Sequence, residues 1–167
     1  MIRRYSVVLC ALALTACGFH LRGSAQLPFT TLNIALPESS ALHAELARTI
    51  TSSSQTKIVD NPKEAQAVLS VVTDAQTKNI LSLNSAGRVR EYELVRTFVF
   101  KVDDAAGHPI VVPSRIIMRR SVTFNDDQVL SKAAEETLLW RDIQTDLLQQ
   151  MLRRLAAASL KPAESQE

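Results

Sequence analysis

The stretch VREYELVRTFVFKV at residues 89–102 decides the fold class, because apolar and polar side chains alternate along it. A period of two is the pattern of a β-strand with one buried face. One face carries Tyr92, Leu94, Phe98, Phe100 and Val102, and the other carries Glu91, Glu93, Thr97 and Lys101. The stretch therefore predicts a long strand that lies with one side on a core.

Turn-forming residues flank this strand on both sides. NSAG at residues 84–87 precedes it, and DDAAG at 103–107 follows it. Short segments rich in Asn, Asp and Gly favour hairpin connections between strands. We expect two further long strands, at residues 67–85 and 110–124, with the second one bent near Pro113. Three long strands joined by two short turns predict an antiparallel meander.

The rest of the chain predicts two helices and two short strands. FTTLNIAL at residues 29–36 favours a strand, and Ser39 or Ser40 can cap the helix that follows. Residues 56–59 predict a short extended piece. A long helix is expected over about residues 127–158, with a cap at Asn125, Asp126 or Asp127. Its apolar stripe comprises Val129, Ala133, Trp140, Ile143, Leu147 and Met151.

This order of elements predicts an α+β fold. The economical arrangement is a two-layer sandwich, a small mixed and mostly antiparallel sheet with two helices on one face. The stripe should face the sheet, and we expect Trp140 to be at least half buried beside Ile143 and Leu147. The length suits a single domain over residues 29–160. The polar residues 161–167 are expected to form a disordered tail.

The N-terminus carries the features of a bacterial lipoprotein signal. Two arginines at residues 3–4 precede an apolar run over residues 5–16, which is shorter than the roughly 20 residues that span a membrane. The run ends in LTAC, which resembles a lipobox, so we expect cleavage after residue 16 and lipidation of Cys17. Residues 17–28 then link the lipid to the domain. Several acyl chains on one cysteine make a durable membrane anchor.

Composition argues against several classes of function. The 19 basic residues become 17 once Arg3 and Arg4 leave with the signal, which equals the 17 acidic residues. Such a neutral body lacks the overall positive charge of nucleic-acid-binding proteins. The three histidines have no metal-ligand spacing, and no catalytic or phosphate-loop motif is present. We therefore expect no enzyme activity, no cofactor, no metal site and no nucleic-acid partner.

Basic residues near the first turn offer a candidate binding site. Arg88 and Arg90 follow the turn, and Lys132 lies in the first turns of the last helix. The meander would bring residues 85–90 and 124–132 to the same end of the sheet. Arginine and lysine bind phosphates well, so a local anion site is one interpretation. The other is a set of solvated charges at strand ends.

Three motifs resemble the LPS-assembly lipoprotein family LptE. They are CGFHLRG at residues 17–23, GRVREYEL at 87–94 and FNDDQVLSKAAEE at 124–136, and the similarity extends over the whole chain after the signal. The resemblance implies a non-enzymatic subunit that plugs the barrel of its 1:1 partner LptD and assists assembly of lipopolysaccharide into the outer leaflet. Gly18, where lipoproteins of the inner membrane typically have Asp, implies an outer-membrane anchor with the body on the periplasmic side and within the barrel.

The resemblance also implies two basic positions for lipopolysaccharide. One is Lys132. The other falls on Ser85, which is not basic, so Arg88 or Arg90 could replace it from nearby.

The alternative function is a free-standing periplasmic lipid carrier, since the apolar residues of the sequence do not distinguish a filled core from a lipid cavity.

The anchor can be tested with a single substitution. Cys17→Ala should abolish incorporation of radiolabelled palmitate, because no other residue near the cleavage point offers a thiol for the lipid. Cys10→Ala, within the apolar run, is the matched control and should still be labelled. Equal labelling of the Cys17→Ala protein and the wild type would refute the anchor.

Overall fold

The computed structural model describes residues 26–125 and 129–158. Its sheet has five strands in the order β2-β1-β3-β4-β5. The elements are β1 (Thr31–Ile34), α1 (Ala41–Ser53), β2 (Lys57–Ile58), β3 (Ala67–Leu83), β4 (Val89–Asp103), β5 (Pro109–Thr123) and α2 (Val129–Ala156), with a 3-10 turn at Pro62–Glu64. The expectations for the signal, Cys17, the caps at Asp126 and Asp127 and the tail lie outside the described residues.

The predicted meander is confirmed. Strand β4 pairs antiparallel with β3 on one side and with β5 on the other. Both turns place a glycine at positive φ, 75° at Gly87 and 92° at Gly107, a conformation that other residues adopt only with strain. The register between β4 and β5 shifts between the pairs Phe100–Ser114 and Val102–Val111, so the expected irregularity does lie near Pro113.

The N-terminal part adds a parallel edge to the sheet. Strand β1 pairs in parallel with both β2 and β3, which makes the sheet mixed. Helix α1 begins after Ser40, whose Oγ accepts a hydrogen bond from the His43 N–H at 3.4 Å. Both helices pack against the same face of the sheet, and the predicted two-layer α+β fold is confirmed.

The main core lies between the sheet and the two helices. Phe98 and Phe100 of β4 are fully buried, as are Leu147 and Met151 of α2. A smaller cluster of Leu94, Val122 and Ile143 continues the core toward the start of α2, and Trp140 packs against it more than half buried, as expected.

The apolar stripe of α2 is buried only in its C-terminal part. Ile143, Leu147 and Met151 are fully buried, but Val129 is 52% exposed and Ala133 is exposed as well. The first turns of the stripe therefore lie outside the core, whereas Trp140, Ile143 and Leu147 face the sheet as expected. The physical reason is position, since the first turns of α2 lie beside the end of β5 and border an open cleft there.

A buried arginine separates the two apolar clusters. Arg96 lies on the helix-facing side of β4 between Leu94 and Phe98, and it is only 4% exposed. Its Nε and Nη2 donate to the two carboxylate oxygens of Asp74 on β3, at 2.8 and 2.9 Å. The sequence analysis missed this pair, although strict alternation along β4 already assigns residue 96 to the buried face.

Removing the carboxylate of this pair should destabilise the fold. Asp74→Ala leaves a buried guanidinium without its partner, and we expect the free energy of unfolding to fall by about 2–3 kcal/mol. This decrease is smaller than that for fully buried ion pairs, because the side chain of Asp74 is partly exposed to solvent. The double variant Arg96→Leu with Asp74→Ala should be more stable than the single one. Urea denaturation measures both. A free energy of unfolding for Asp74→Ala within about 0.5 kcal/mol of the wild type would contradict the assignment.

Candidate anion-binding cleft

A cleft of about 140 Å³ opens where the first turn of α2 meets the end of the meander. Strands β3, β4 and β5 and helix α2 all contribute to its walls. They supply two lysines, one glutamate, two aromatic rings and small or apolar side chains. The lining residues are Lys78, Tyr92, Val122, Thr123, Phe124, Val129, Lys132, Ala133 and Glu136.

Lys132 is held inside this cleft by two partners. Its ammonium donates to Thr123 Oγ1 at 2.9 Å and pairs with Glu135 Oε2 at 2.8 Å, one helical turn further along α2. Its side chain is only 18% exposed. The lysine is therefore positioned toward the strand end, and its charge is already balanced by a carboxylate.

Arg90 lies at the same end of the sheet, outside the walls of the cleft. Its carbonyl accepts a hydrogen bond from the Phe124 N–H at 2.8 Å, directly after β5, while its side chain is exposed. Arg88 is exposed beside the first turn, where its N–H donates to Asn84 Oδ1 at 2.9 Å. The meander thus brings Arg88, Arg90 and Lys132 to one end, but of these three only Lys132 lines the cleft.

The cleft contains a second lysine that the sequence analysis missed. Lys78 of β3 lies 2.6 Å from Glu136 Oε2, and its Nζ is 4.3 Å from the centre of the Tyr92 ring. The hairpin pattern could have identified it. Residues of β3 and β4 at equal distances from the turn lie opposite each other, which places Lys78 opposite Leu94 and close to Tyr92. Lys78 precedes the turn in the sequence, whereas the basic residues predicted for this site, Arg88, Arg90 and Lys132, all follow it.

Aromatic rings form one wall of the cleft. Tyr92 and Phe124 meet edge to face, with their ring centres 5.5 Å apart and their planes at 81°. Such contacts add about 0.5–1.5 kcal/mol to the burial of the rings. The wall therefore holds the end of β4 and the segment after β5 together, and it gives the cleft an apolar side next to its two lysines.

Two arginines on β5 are paired with acids. Arg119 pairs with Glu93 at 3.1 Å on the sheet face away from the helices, and Arg120 pairs with Asp146 of α2. These contacts link neighbouring elements. The cations that line the cleft among the described residues are Lys78 and Lys132.

The histidines of the described body do not form a metal centre. His108 contacts Asp104 in the turn between β4 and β5, Nδ1 to Oδ2 at 2.9 Å, and this hydrogen bond is the main reason that the pKa of Asp104 lies below its usual value. Within residues 26–125 and 129–158, no group of three or more His, Cys, Asp or Glu side chains could hold a metal ion. Neither described helix is long and apolar enough to cross a membrane.

Comparison with known protein families gives one clear match. The model of the LptE family, described as lipopolysaccharide-assembly, matches residues 29–155. The LPS-assembly lipoprotein LptE of Pectobacterium atrosepticum is 29% identical over 159 residues, which cover 92% of this chain and 85% of that protein. Its counterpart in Yersinia enterocolitica is 31% identical over 163 residues, which cover 93% of this chain and 77% of that protein.

Solved structures show the same architecture. The solution NMR structure of lipoprotein B from Nitrosomonas europaea aligns with a TM-score of 0.74 and 36% identity, covering 84% of this chain and 91% of that one. The crystal structure of the rare lipoprotein B from Shewanella oneidensis aligns with a TM-score of 0.65 and 26% identity, covering 76% of this chain and 94% of that one. Both alignments agree with the two-layer fold described above.

Proposed function

This chain belongs to the lipopolysaccharide-assembly family LptE, and from that membership we propose that it is a non-enzymatic lipoprotein that acts in lipopolysaccharide assembly. The observation that carries the proposal is the extent of the family match. The match begins before β1 and ends at the penultimate residue of α2. It therefore includes the meander, both helices and the cleft between the meander and the start of α2.

The more detailed proposal concerns partner and location. We propose that a lipid on Cys17 anchors the protein to the outer membrane, and that its body occupies the barrel of LptD as a 1:1 plug. Several large apolar side chains on the sheet are exposed, and an enclosing partner would remove them from water. They are Val72, Ile80, Leu81 and Leu83 on β3 and Val112 and Ile117 on β5.

The proposed ligand site is the end of the sheet that bears the cleft. Lipopolysaccharide carries phosphates on a sugar head, and a few positioned cations can recognise phosphates without a large basic surface. Lys132 supplies a cation inside the cleft, while Arg90 and Arg88 supply exposed cations beside it. Exposed cations attract an anion before contact, and salt weakens that attraction.

Affinity purification tests the partner. Tagged protein extracted from outer membranes should co-purify with one barrel protein in equal amount, identified by its mass, because a plug is enclosed by its partner. The alternative carrier predicts the opposite outcome. Such a protein would purify alone with bound lipid, and that result would overturn the plug.

Charge reversal tests the ligand site. Lys132→Asp with Arg90→Asp should lower binding to purified lipopolysaccharide by about tenfold or more at low salt, and by less at high salt, because the reversed charges repel phosphate. Circular dichroism verifies the fold.

The matched control for this experiment reverses two exposed lysines at the other end of the sheet. Lys57→Asp with Lys63→Asp changes the net charge by the same amount, and it should leave binding close to that of the wild type. Equal binding by both double variants would remove this end of the sheet as the site and leave the proposed partner unaffected.

A further inference from the structure

Both lysines of the cleft are bound by neighbouring glutamates of α2. Lys132 pairs with Glu135 at 2.8 Å, and Lys78 pairs with Glu136 at 2.6 Å. The lysines come from different elements, yet their carboxylate partners are consecutive in the sequence. The four charges cancel, so the cleft carries no net charge from these groups although it contains two ammonium groups.

These ion pairs are exposed enough to be broken by a competing anion. The side chains of Lys78 and Glu136 are 37% and 27% exposed, and those of Lys132 and Glu135 are 18% and 46% exposed, so each pair has at least one partner in contact with water. Ion pairs at such positions typically contribute only about 0.2–1 kcal/mol, because water screens them and ordering two long side chains opposes them. A phosphate, with more charge and more acceptor oxygens than a carboxylate, can replace either glutamate.

The lysines would remain in position after the glutamates leave. Lys78 lies over the face of Tyr92, an attraction that does not depend on Glu136. Lys132 keeps its hydrogen bond to Thr123 Oγ1 at 2.9 Å. Each ammonium is thus supported by a second, uncharged partner on the sheet, which leaves the cleft ready for an anion in the place of the carboxylates.

The walls beside the lysines are apolar. Phe124 and Val122 come from the end of the meander, and Val129 of α2 is 52% exposed toward solvent. Apolar walls with a few placed charges suit a ligand that has both an anionic and an apolar part. A phosphate next to the acylated sugar of a glycolipid has this chemistry.

We propose that Glu135 and Glu136 act as internal competitors, which hold Lys78 and Lys132 in a neutral cleft until the phosphate of an acylated glycolipid displaces them. The proposal rests on the function proposed above and adds two features to it. Lys78 becomes a binding residue, and the two glutamates become residues that lower affinity and thereby favour release of the ligand.

Neutralising the glutamates should therefore strengthen binding. Glu135→Gln with Glu136→Gln should raise the affinity for purified lipopolysaccharide about three- to tenfold, because the phosphate no longer competes with two carboxylates. The increase should largely disappear with lipopolysaccharide whose phosphates have been removed enzymatically. Lys78→Ala should lower affinity several-fold.

Two controls separate local competition from overall charge. Glu38→Gln with Glu64→Gln removes the same charge from exposed positions away from the cleft and should change affinity by less than about twofold. Lys101→Ala removes a paired lysine at the other end of β4, where it lies 2.7 Å from Asp103, and should leave affinity unchanged. Circular dichroism and thermal melting verify that each variant is folded.

The outcomes distinguish this inference from the site on which it rests. If the Glu135 and Glu136 variant binds no more tightly than its control, the glutamates are structural and the competition is refuted. Unchanged binding by Lys78→Ala, together with weaker binding by the Lys132 and Arg90 reversal, would refute the inference and keep the proposed site. Unchanged binding by all the lysine and arginine variants would remove both.

Discussion

The burial of β4 is the constraint on which the rest of the structure depends. This strand is hydrogen-bonded to β3 on one side and to β5 on the other, so its backbone polar groups are satisfied over most of its length. Its helix-facing side chains then require a cover, and the two helices form one buried core with Phe98 and Phe100. Since two tight turns join the three strands, the same pairing also determines which strand ends meet.

The helix-facing side of β4 changes character along its length. Phe98, Phe100 and Val102 belong to the main core, and Arg96 with its carboxylate partner interrupts the apolar surface. Beyond it, Leu94 belongs to a small second cluster, and Tyr92 already borders the cleft. The strand thus leads from a close-packed core to a partly open polar site, and the buried pair of Arg96 and Asp74 marks the transition.

Positive and negative charges are equal in number both among the paired residues of the cleft and in the chain without its expected signal. The chain without its expected signal has equal numbers of acidic and basic residues, and the two cleft lysines are matched by two glutamates. The proposed role in lipopolysaccharide assembly would require the protein to bind an anionic lipid and also to release it. Weak, replaceable ion pairs would meet both requirements better than a strongly basic pocket, because they would limit the affinity that the cations alone would give.

The sequence by itself determined the α+β class, the meander and the helix that covers it. These features follow from local rules, since alternation marks a half-buried strand and Asn, Asp and Gly mark tight turns. It also singled out Lys132 and placed Arg90 at the same end of the sheet. In a three-stranded meander the start of the second strand lies beside the end of the third, and these are the segments that carry Arg90 and lead to Lys132. Only the tertiary structure decided which charges are paired. Lys78 is paired with Glu136 because α2 packs across the sheet, and Arg96 is paired with Asp74 because the register of β3 and β4 makes them neighbours. The exposure of Val129 has the same origin, since helical periodicity shows which face of a helix is apolar but not how far the sheet beneath it extends.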